Sequence, residues 1–204
     1  MSAQFAAGDA AGGGVLEAVL LDAPELLERA ISYTRVSLGL LPRAAPDAPT
    51  PCDGWDLRRL LRHMDDSLAA FTEAAESGYV APAGPQDPDP AALAESLCNR
   101  ACRLLGAWTH EPGRPWVSVA GRDLATTLLA ATGAIEIAVH GWDVARTCGV
   151  ARPLPAELAQ SLLPVAPMVV QEQDRPGRFA PAVAVPPRSA ASDALLAFLG
   201  RDPR

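Results

Sequence analysis

Apolar side chains recur at helical spacing along four long stretches of the chain, and each stretch predicts an amphipathic helix. These stretches are residues 15–41, 56–77, 90–108 and 122–148. The second has the most regular apolar stripe, with steps of four, three, four and three positions: Leu57, Leu61, Met64, Leu68 and Phe71. A helix with one such stripe buries that face against its neighbours, so the pattern predicts a helical bundle.

Prolines and capping residues mark the predicted helix ends. Residues 42–51 and 80–90 each contain four prolines, which lack the amide donor that a helix needs. Asp56 is placed to cap the start of the second helix, and Gly149 is placed to end the fourth. The loops and caps therefore agree with the helices that the apolar pattern predicts.

The rest of the chain completes an all-α prediction. Gly133 and Gly141 lie inside the fourth helix, where glycine costs about 1 kcal/mol against alanine, so we expect another helix or a ligand to approach closely there. Two shorter helices are predicted over residues 155–163 and 189–199, and the only strand candidate is Pro181–Val185. We predict an all-α four-helix bundle with a short C-terminal helical appendage.

The composition fits one globular domain. At roughly 150 residues per domain, 204 residues of which 49% are hydrophobic predict a single domain over residues 14–203, behind a disordered glycine-rich segment, residues 1–13. The net charge of −7 argues against nucleic acid or an anionic membrane as partner. All 17 basic residues are arginine, which excludes Schiff-base and P-loop chemistry because both need a lysine amine.

Neither a signal peptide nor a membrane span is predicted. Residues 1–13 lack a basic start and an apolar run, and no segment approaches about 20 uninterrupted apolar residues. The four cysteines have no secretory context that would favour disulfides. We expect a cytoplasmic protein, a monomer or homodimer, whose partner is a small-molecule substrate or thiol.

Two predicted helices carry histidines that could share a metal ion. Glu136 and His140 are four residues apart, which places a carboxylate and an imidazole on one helix face. Their neighbours are apolar, and an ionised carboxylate is costly there unless it is paired or coordinated. With His63 of the second helix they would form a three-ligand site with an open position, as catalytic metal sites have. The alternative is that Glu136 and His140 form an ordinary i,i+4 side-chain pair on one helix, and that His63 is an unrelated histidine at the edge of the core.

An aspartate follows each of these histidines by three residues: Asp66 follows His63, and Asp143 follows His140. A carboxylate one turn away can orient an imidazole, and either could serve as general base for a metal-activated water. The alternative for both aspartates is that they are ordinary solvent-exposed charges on their helices. Asp143 lies on the more apolar helix and is the candidate catalytic residue.

Three segments resemble a known family. TPCDGWDLRRLLRHMDDSLAAF (residues 50–71) and AIEIAVHGWDVARTCG (residues 134–149) resemble the two signatures of the DinB-like superfamily. More closely, they resemble the metal-binding domain of mycothiol-dependent maleylpyruvate isomerase. The ending LLAFLGRDP (residues 195–203) is similar to the tail of small actinobacterial metal-binding members. The resemblance covers about residues 14–203 and implies a DinB-like four-helix bundle.

The resemblance also implies a metal ion and a use for it. Carried over position by position, the metal ligands of the family fall on His63, Glu136 and His140. The ion is expected to be divalent, with zinc first and nickel, iron or manganese as alternatives. It would activate a low-molecular-weight thiol of the mycothiol type, or water, for transfer or isomerisation on a small electrophile. A metal-dependent hydrolase and a non-catalytic metal-binding helical protein are the alternative functions.

The C-terminal region differs from that of the isomerase it resembles. That isomerase carries a separate C-terminal domain that helps to form the active site, whereas 64 residues follow His140 here. We expect the extra domain to be missing or much reduced. Maleylpyruvate isomerisation and the use of mycothiol are therefore left open.

Several other residues have simpler interpretations. Cys98 and Cys102 are expected to be two buried free thiols, since an i,i+4 helix pair has poor disulfide geometry. Cys52, in a loop, or Cys148, at a helix end, could be reactive, and no electrostatic feature of the sequence favours one over the other. Trp55 and Trp142 are expected to pack in the core, with a pocket wall as the alternative. Three arginines could clamp a substrate carboxylate but are expected to be exposed: Arg62, Arg178 and Arg188.

Overall fold

The computed structural model describes five parts of the chain: residues 22–80, 90–110, 115–119, 122–175 and 179–204. Residues 1–13, which we expected to be disordered, lie outside the described residues. So do residues 15–21, the predicted first turns of the first helix.

Four long helices form the body of the fold, as the apolar pattern predicted. They are α1 (Ala23–Leu38), α2 (Leu57–Ser77), α3 (Pro90–His110) and α4 (Thr126–Thr147). A single hydrophobic cluster contains buried residues from all four, which confirms the four-helix bundle. In the described part of the chain, none of the helices combines the length and apolarity that crossing a bilayer requires.

The C-terminal region adds short helices that pack on the same core. They are α5 (Ala156–Leu162), α6 (Ala166–Val169) and α7 (Ala191–Phe198). Leu158 of α5 and Leu195 of α7 are fully buried members of the main hydrophobic cluster. The helical appendage is therefore confirmed. Two 3₁₀ turns, Leu41–Arg43 and Glu172–Asp174, complete the helical elements described.

The ends of α2 follow from its capping residues. The Asp56 carboxylate accepts a hydrogen bond of 2.7 Å from the Arg59 amide, which satisfies one of the free donors in the first helical turn. At the other end Gly78 adopts the left-handed conformation with φ of 73°, which glycine enters without steric cost. The predicted limits of this helix are confirmed.

Gly141 permits the close packing of α1 against α4. A Cβ atom at this position would lie 2.3 Å from the Thr34 hydroxyl oxygen, and that hydroxyl donates a 2.7 Å hydrogen bond to the Ile137 carbonyl. At Gly133 the neighbours are the Leu27 and Phe71 side chains, at 3.5 and 3.6 Å. Both glycines therefore face packed protein, which decides between the two alternatives in favour of helix packing.

A small sheet corrects the strand prediction. Strands β1 (Tyr79–Val80), β2 (Trp116–Val119) and β3 (Arg122–Ala125) pair in that order. The β2–β3 pair is antiparallel, with Val117 opposite Leu124. The predicted start of the fourth helix at Arg122 is therefore wrong, because those residues satisfy their backbone groups on β2. The proposed strand Pro181–Val185 has no strand assignment.

Candidate metal centre

The three predicted ligands come together between α2 and α4. The Glu136 Oε2 atom lies 3.3 Å from His140 Nε2 and 3.5 Å from His63 Nε2. One donor atom from each residue falls in a group whose members all lie within 4.8 Å of one another. The two helices thus aim two imidazoles and one carboxylate at a common point.

Helical periodicity explains this arrangement. Glu136 and His140 lie one turn apart on α4, so their side chains project side by side. His63 precedes Met64 of the buried α2 stripe, which places its ring at the core edge rather than inside. The exposed side-chain fraction falls from 37% at His63 to 22% at Glu136 and 9% at His140. Solvent and ligands therefore reach the centre from the His63 side.

The donor separations fit a bound divalent ion. Nitrogen and oxygen ligands of a tetrahedral zinc ion, with bonds of about 2.0–2.1 Å, lie about 3.3 Å apart. The observed contacts of 3.3 and 3.5 Å match this value, and they are longer than a good hydrogen bond of about 2.7–3.2 Å. Three protein donors also leave one tetrahedral position for a further ligand.

The Glu136 carboxylate is held in its ionised form. Burial by itself would raise its pKa, but the polar contacts and positive charge of the His140 and His63 rings hold that pKa well below its usual range. A carboxylate that stays ionised at neutral pH is ready to bind a cation. Together with two imidazoles it would leave a divalent ion with a net charge near +1.

His140 is held by Asp143 on the opposite edge of its ring. The Asp143 Oδ2 atom accepts a hydrogen bond of 2.9 Å from His140 Nδ1, and the Asp143 side chain has no exposed surface. Although burial opposes ionisation, the Arg201 charge and the His140 hydrogen bond lower the pKa of Asp143. An ionised carboxylate on Nδ1 fixes the ring so that Nε2 faces Glu136.

Asp66 does not join this arrangement. Its side chain is exposed, and no described hydrogen bond links it to His63. Its buried neighbour Asp65 instead accepts hydrogen bonds from Ser96 and Arg100 of α3, at 2.7 and 2.9 Å. Of the two predicted aspartates, only Asp143 lies in contact with a proposed ligand.

Two further residues, which no local sequence pattern indicates, complete the surroundings of Asp143. The Arg201 guanidinium donates to Asp143 Oδ2 at 3.0 Å, and the Cys52 Sγ atom lies 3.2 Å from the same oxygen. Cys52 precedes α2, and Arg201 follows α7. Their only sequence signal was their presence in the segments that resemble the family, because nothing local pairs them with Asp143.

Cys52, His140 and Asp143 form a second group of possible metal ligands. The Arg201 guanidinium lies 3.1 Å from Cys52 Sγ and 3.0 Å from Asp143 Oδ2. Its positive charge already neutralises this cluster and would repel a second cation. Of the two groups, the one on the His140 edge that faces Glu136 is therefore the better candidate for a metal site.

The two tryptophans differ in role. The Trp55 ring centroid lies 5.0 Å from that of His63 and 6.4 Å from that of His140, so Trp55 forms a wall of the centre. Trp142 is buried in the main hydrophobic cluster and packs as expected. Trp55 is partly buried and also packs against the main hydrophobic cluster, so it combines the expected packing with a place beside the two imidazoles.

The prediction for the α3 cysteines is wrong in part. Both Cys98 and Cys102 are free, but Cys98 is half-buried and Cys102 is exposed. The buried stripe of α3 consists of Leu93, Leu97, Ala101 and Leu104. Each cysteine follows a stripe residue by one position, and this step rotates its side chain away from the core.

The candidate substrate arginines lie in different settings. Arg188 is exposed, as expected, and Arg62 is half-buried on α2 beside His63. Arg178 lies outside the described residues.

Comparisons with known proteins identify the family. The family model described as the mycothiol maleylpyruvate isomerase N-terminal domain matches residues 27–145, a span that contains all three proposed ligands. Two Mycobacterium tuberculosis proteins, the uncharacterized proteins Rv0738 and MT0763, are each 30% identical over 162 residues. The alignment covers 76% of this chain and 85% of each relative. No solved structure matches the chain significantly. The chain belongs to the DinB-like family of mycothiol maleylpyruvate isomerase N-terminal domains.

Proposed function

We propose that this protein is a metal-dependent enzyme that activates a low-molecular-weight thiol, or water, for attack on a small electrophile. His63, Glu136 and His140 would hold a divalent ion, with zinc first among the candidates and nickel, iron or manganese as alternatives. The observation that carries the proposal is the convergence of three donor atoms at 3.3 and 3.5 Å on a centre that is open on one side.

The charge of the centre favours an anionic guest. When bound, a divalent ion supplies Lewis acidity, which lowers the pKa of a thiol or water ligand and holds the resulting anion. Glu136 offsets one of its two positive charges. The Asp143 carboxylate does not change the net charge of the centre, because the Arg201 guanidinium lies 3.0 Å from it and neutralises it. The family membership supports mycothiol as the thiol.

The surrounding residues would control orientation and water. Asp143 holds His140 through Nδ1, so the ring presents a fixed Nε2 to the ion. Trp55 lies against both imidazoles and covers part of the centre with an apolar surface. A thiol ligand would enter beside His63, the most exposed of the three donors.

A metal-dependent hydrolase with Asp143 as general base is the second possibility. Asp143 Oδ2 accepts from His140 and Arg201 on the ring edge that faces away from Glu136, a position that suits orientation of the ring better than proton transfer at the ion. A purely structural metal is less well supported, because three protein donors do not fill a coordination sphere. These two alternatives remain outcomes of the test.

Cobalt substitution tests the proposal directly. Protein loaded with Co²⁺ is titrated with mycothiol, with cysteine and with serine as an oxygen analogue. We expect a thiolate-to-cobalt charge-transfer band with the two thiols and none with serine. The Cys52→Ser variant must give the same band, since the thiolate comes from the added ligand. Thiols that leave the cobalt spectrum unchanged would contradict thiol activation and favour the hydrolase or the structural metal.

A further inference from the structure

We propose that Arg201 is a positioning residue of the metal centre, acting on His140 through Asp143. The proposal rests on the proposed function, because it assigns to the C-terminal segment a part in holding the ligand. Arg201 lies in neither metal-ligand helix, and it contacts none of the three proposed ligands through a described hydrogen bond.

The Arg201–Asp143 contact is buried and uses two nitrogens. Arg201 Nη2 lies 3.0 Å from Asp143 Oδ2, and Nε lies 3.4 Å from Oδ1. Asp143 has no exposed surface, and Arg201 has 9% of its surface exposed. A planar guanidinium that faces both carboxylate oxygens fixes the plane of the carboxylate as well as its charge.

The plane of the Asp143 carboxylate sets the direction of its contact with His140. Asp143 Oδ2 meets His140 Nδ1 at 2.9 Å, and the opposite ring nitrogen faces Glu136 at 3.3 Å. The Cys52 thiol lies 3.2 Å from Oδ2 and 3.1 Å from Arg201, and so closes the remaining side. Rotation of the Asp143 carboxylate would therefore turn the His140 ring away from the common point of the ligands.

The backbone after α7 aims the arginine at this place. Gly200 has φ of 81°, and a Cβ atom there would lie 2.7 Å from the Ala180 carbonyl oxygen. This left-handed turn lets the Arg201 amide donate to the Leu196 carbonyl at 2.9 Å. The Arg201 side chain in turn donates to the Leu199 carbonyl at 2.8 Å. The guanidinium is thus held by a backbone carbonyl through Nη1 while its Nη2 and Nε atoms face Asp143.

A matched control separates positioning from simple attachment of the C-terminal segment. Arg175 is also buried, and it donates to the Ala180 and Phe198 carbonyls at 3.2 and 3.1 Å. It therefore holds the same segment, but none of its described contacts reaches Asp143 or His140. If Arg201 only attached the segment, replacement of either arginine would affect the centre alike.

The test uses two readouts on the full chain. Zinc affinity is measured by competition with a chromophoric chelator, and the ¹⁵N signals of the His140 ring are recorded in zinc-free protein. For Arg201→Met we expect zinc affinity to fall by about 10–100-fold and the His140 signals to shift. Arg175→Met is expected to keep zinc affinity within about twofold and the His140 signals in place.

Arg201→Lys keeps the proposal testable if the methionine variant does not fold. Lysine retains the charge but donates from a single nitrogen, so we expect a smaller loss of zinc affinity and a shift of the His140 signals in the same direction. Unchanged affinity in both Arg201 variants, or equal losses in Arg201→Met and Arg175→Met, would overturn the proposal.

The two readouts also separate this inference from the proposed function. Wild-type protein that binds none of zinc, nickel, iron and manganese would overturn the proposed function and, with it, the metal part of this inference. His140 signals that move in Arg201→Met would still support the contact chain in that case. Signals that stay in place would overturn the contact chain as well.

Discussion

Asp143 Oδ2 and His140 Nδ1 lie 2.9 Å apart in the protein interior, and this contact determines which nitrogen of His140 faces the other proposed ligands. A buried carboxylate is stable there because Arg201 neutralises it. The proposed metal chemistry thus depends on a charge pair that lies behind the ligand.

Glu136→Gln tests the need for an ionised ligand. The amide keeps the shape of the side chain but removes the negative charge that a divalent ion requires. We expect zinc affinity to fall by roughly 100-fold or more, since loss of an outer contact alone costs about 10–100-fold. Chelator competition measures this, with exposed Asp66→Asn as the control. An affinity equal to that of the wild type would exclude Glu136 as a ligand.

Asp143→Asn tests the buried charge pair. The substitution leaves Arg201 buried without its anion, and removal of one partner from such a pair costs about 3–5 kcal/mol. Urea unfolding followed by circular dichroism should show a free energy of unfolding lower by that amount. Asp66→Asn, at an exposed position, should leave the urea midpoint in place. Equal midpoints for the two variants would mean that the Arg201–Asp143 pair adds no stability.

Gly141→Ala tests the close approach of α1 and α4. The new methyl group would lie 2.3 Å from the Thr34 hydroxyl oxygen, so we expect a destabilisation of about 1–3 kcal/mol despite the better helix propensity of alanine. Gly106→Ala is the matched control, because nothing lies within 4 Å of its Cβ position. That variant should gain about 0.5–1 kcal/mol. A stabilised Gly141→Ala protein would refute the packing described for this glycine.

The buried Tyr33 should make the folded protein less stable at high pH. Burial raises the pKa of Tyr33 to about 12, although the charge of Arg152 opposes the shift. In the unfolded chain the tyrosine has its ordinary pKa of about 10, so it loses its proton at a lower pH than Tyr33 of the folded protein. Stability should fall as pH rises from about 10 to 12.

The Tyr33→Phe variant provides the comparison for that pH range. Phenylalanine has no proton to lose, so its unfolding free energy should decline less steeply with pH than that of the wild type. Since the chain has no lysine, few other groups titrate in this range. Parallel slopes for the two proteins would show that Tyr33 titrates normally in the folded state.

Local patterns predicted most of the fold. Apolar periodicity and the Asp56 cap located α2, and the same periodicity placed Glu136 beside His140. The β2–β3 pair was not predicted, because two four-residue segments carry little periodic signal and their pairing depends on contacts between them. Residues 122–125 consequently read as a helix start.

The sequence could not predict which residues hold the ligands in place. Spacing within one helix relates Asp143 to His140, but no periodicity relates Cys52 or Arg201 to either of them. These contacts arise only when the segment after α7 and the loop before α2 meet α4. The exposure of Cys102 was not predicted either, because a shift of one residue along α3 separates buried from exposed positions.

Metal content measured on the purified protein tests the central claim most directly. The protein is prepared without chelator or histidine tag, incubated with zinc, desalted and analysed for metals beside His63→Ala, Glu136→Ala and His140→Ala. We predict about one ion per wild-type chain, bound by the three ligands, and a large loss of metal in each variant that remains folded. Wild-type protein without metal, or folded variants with full metal content, would contradict the proposed centre.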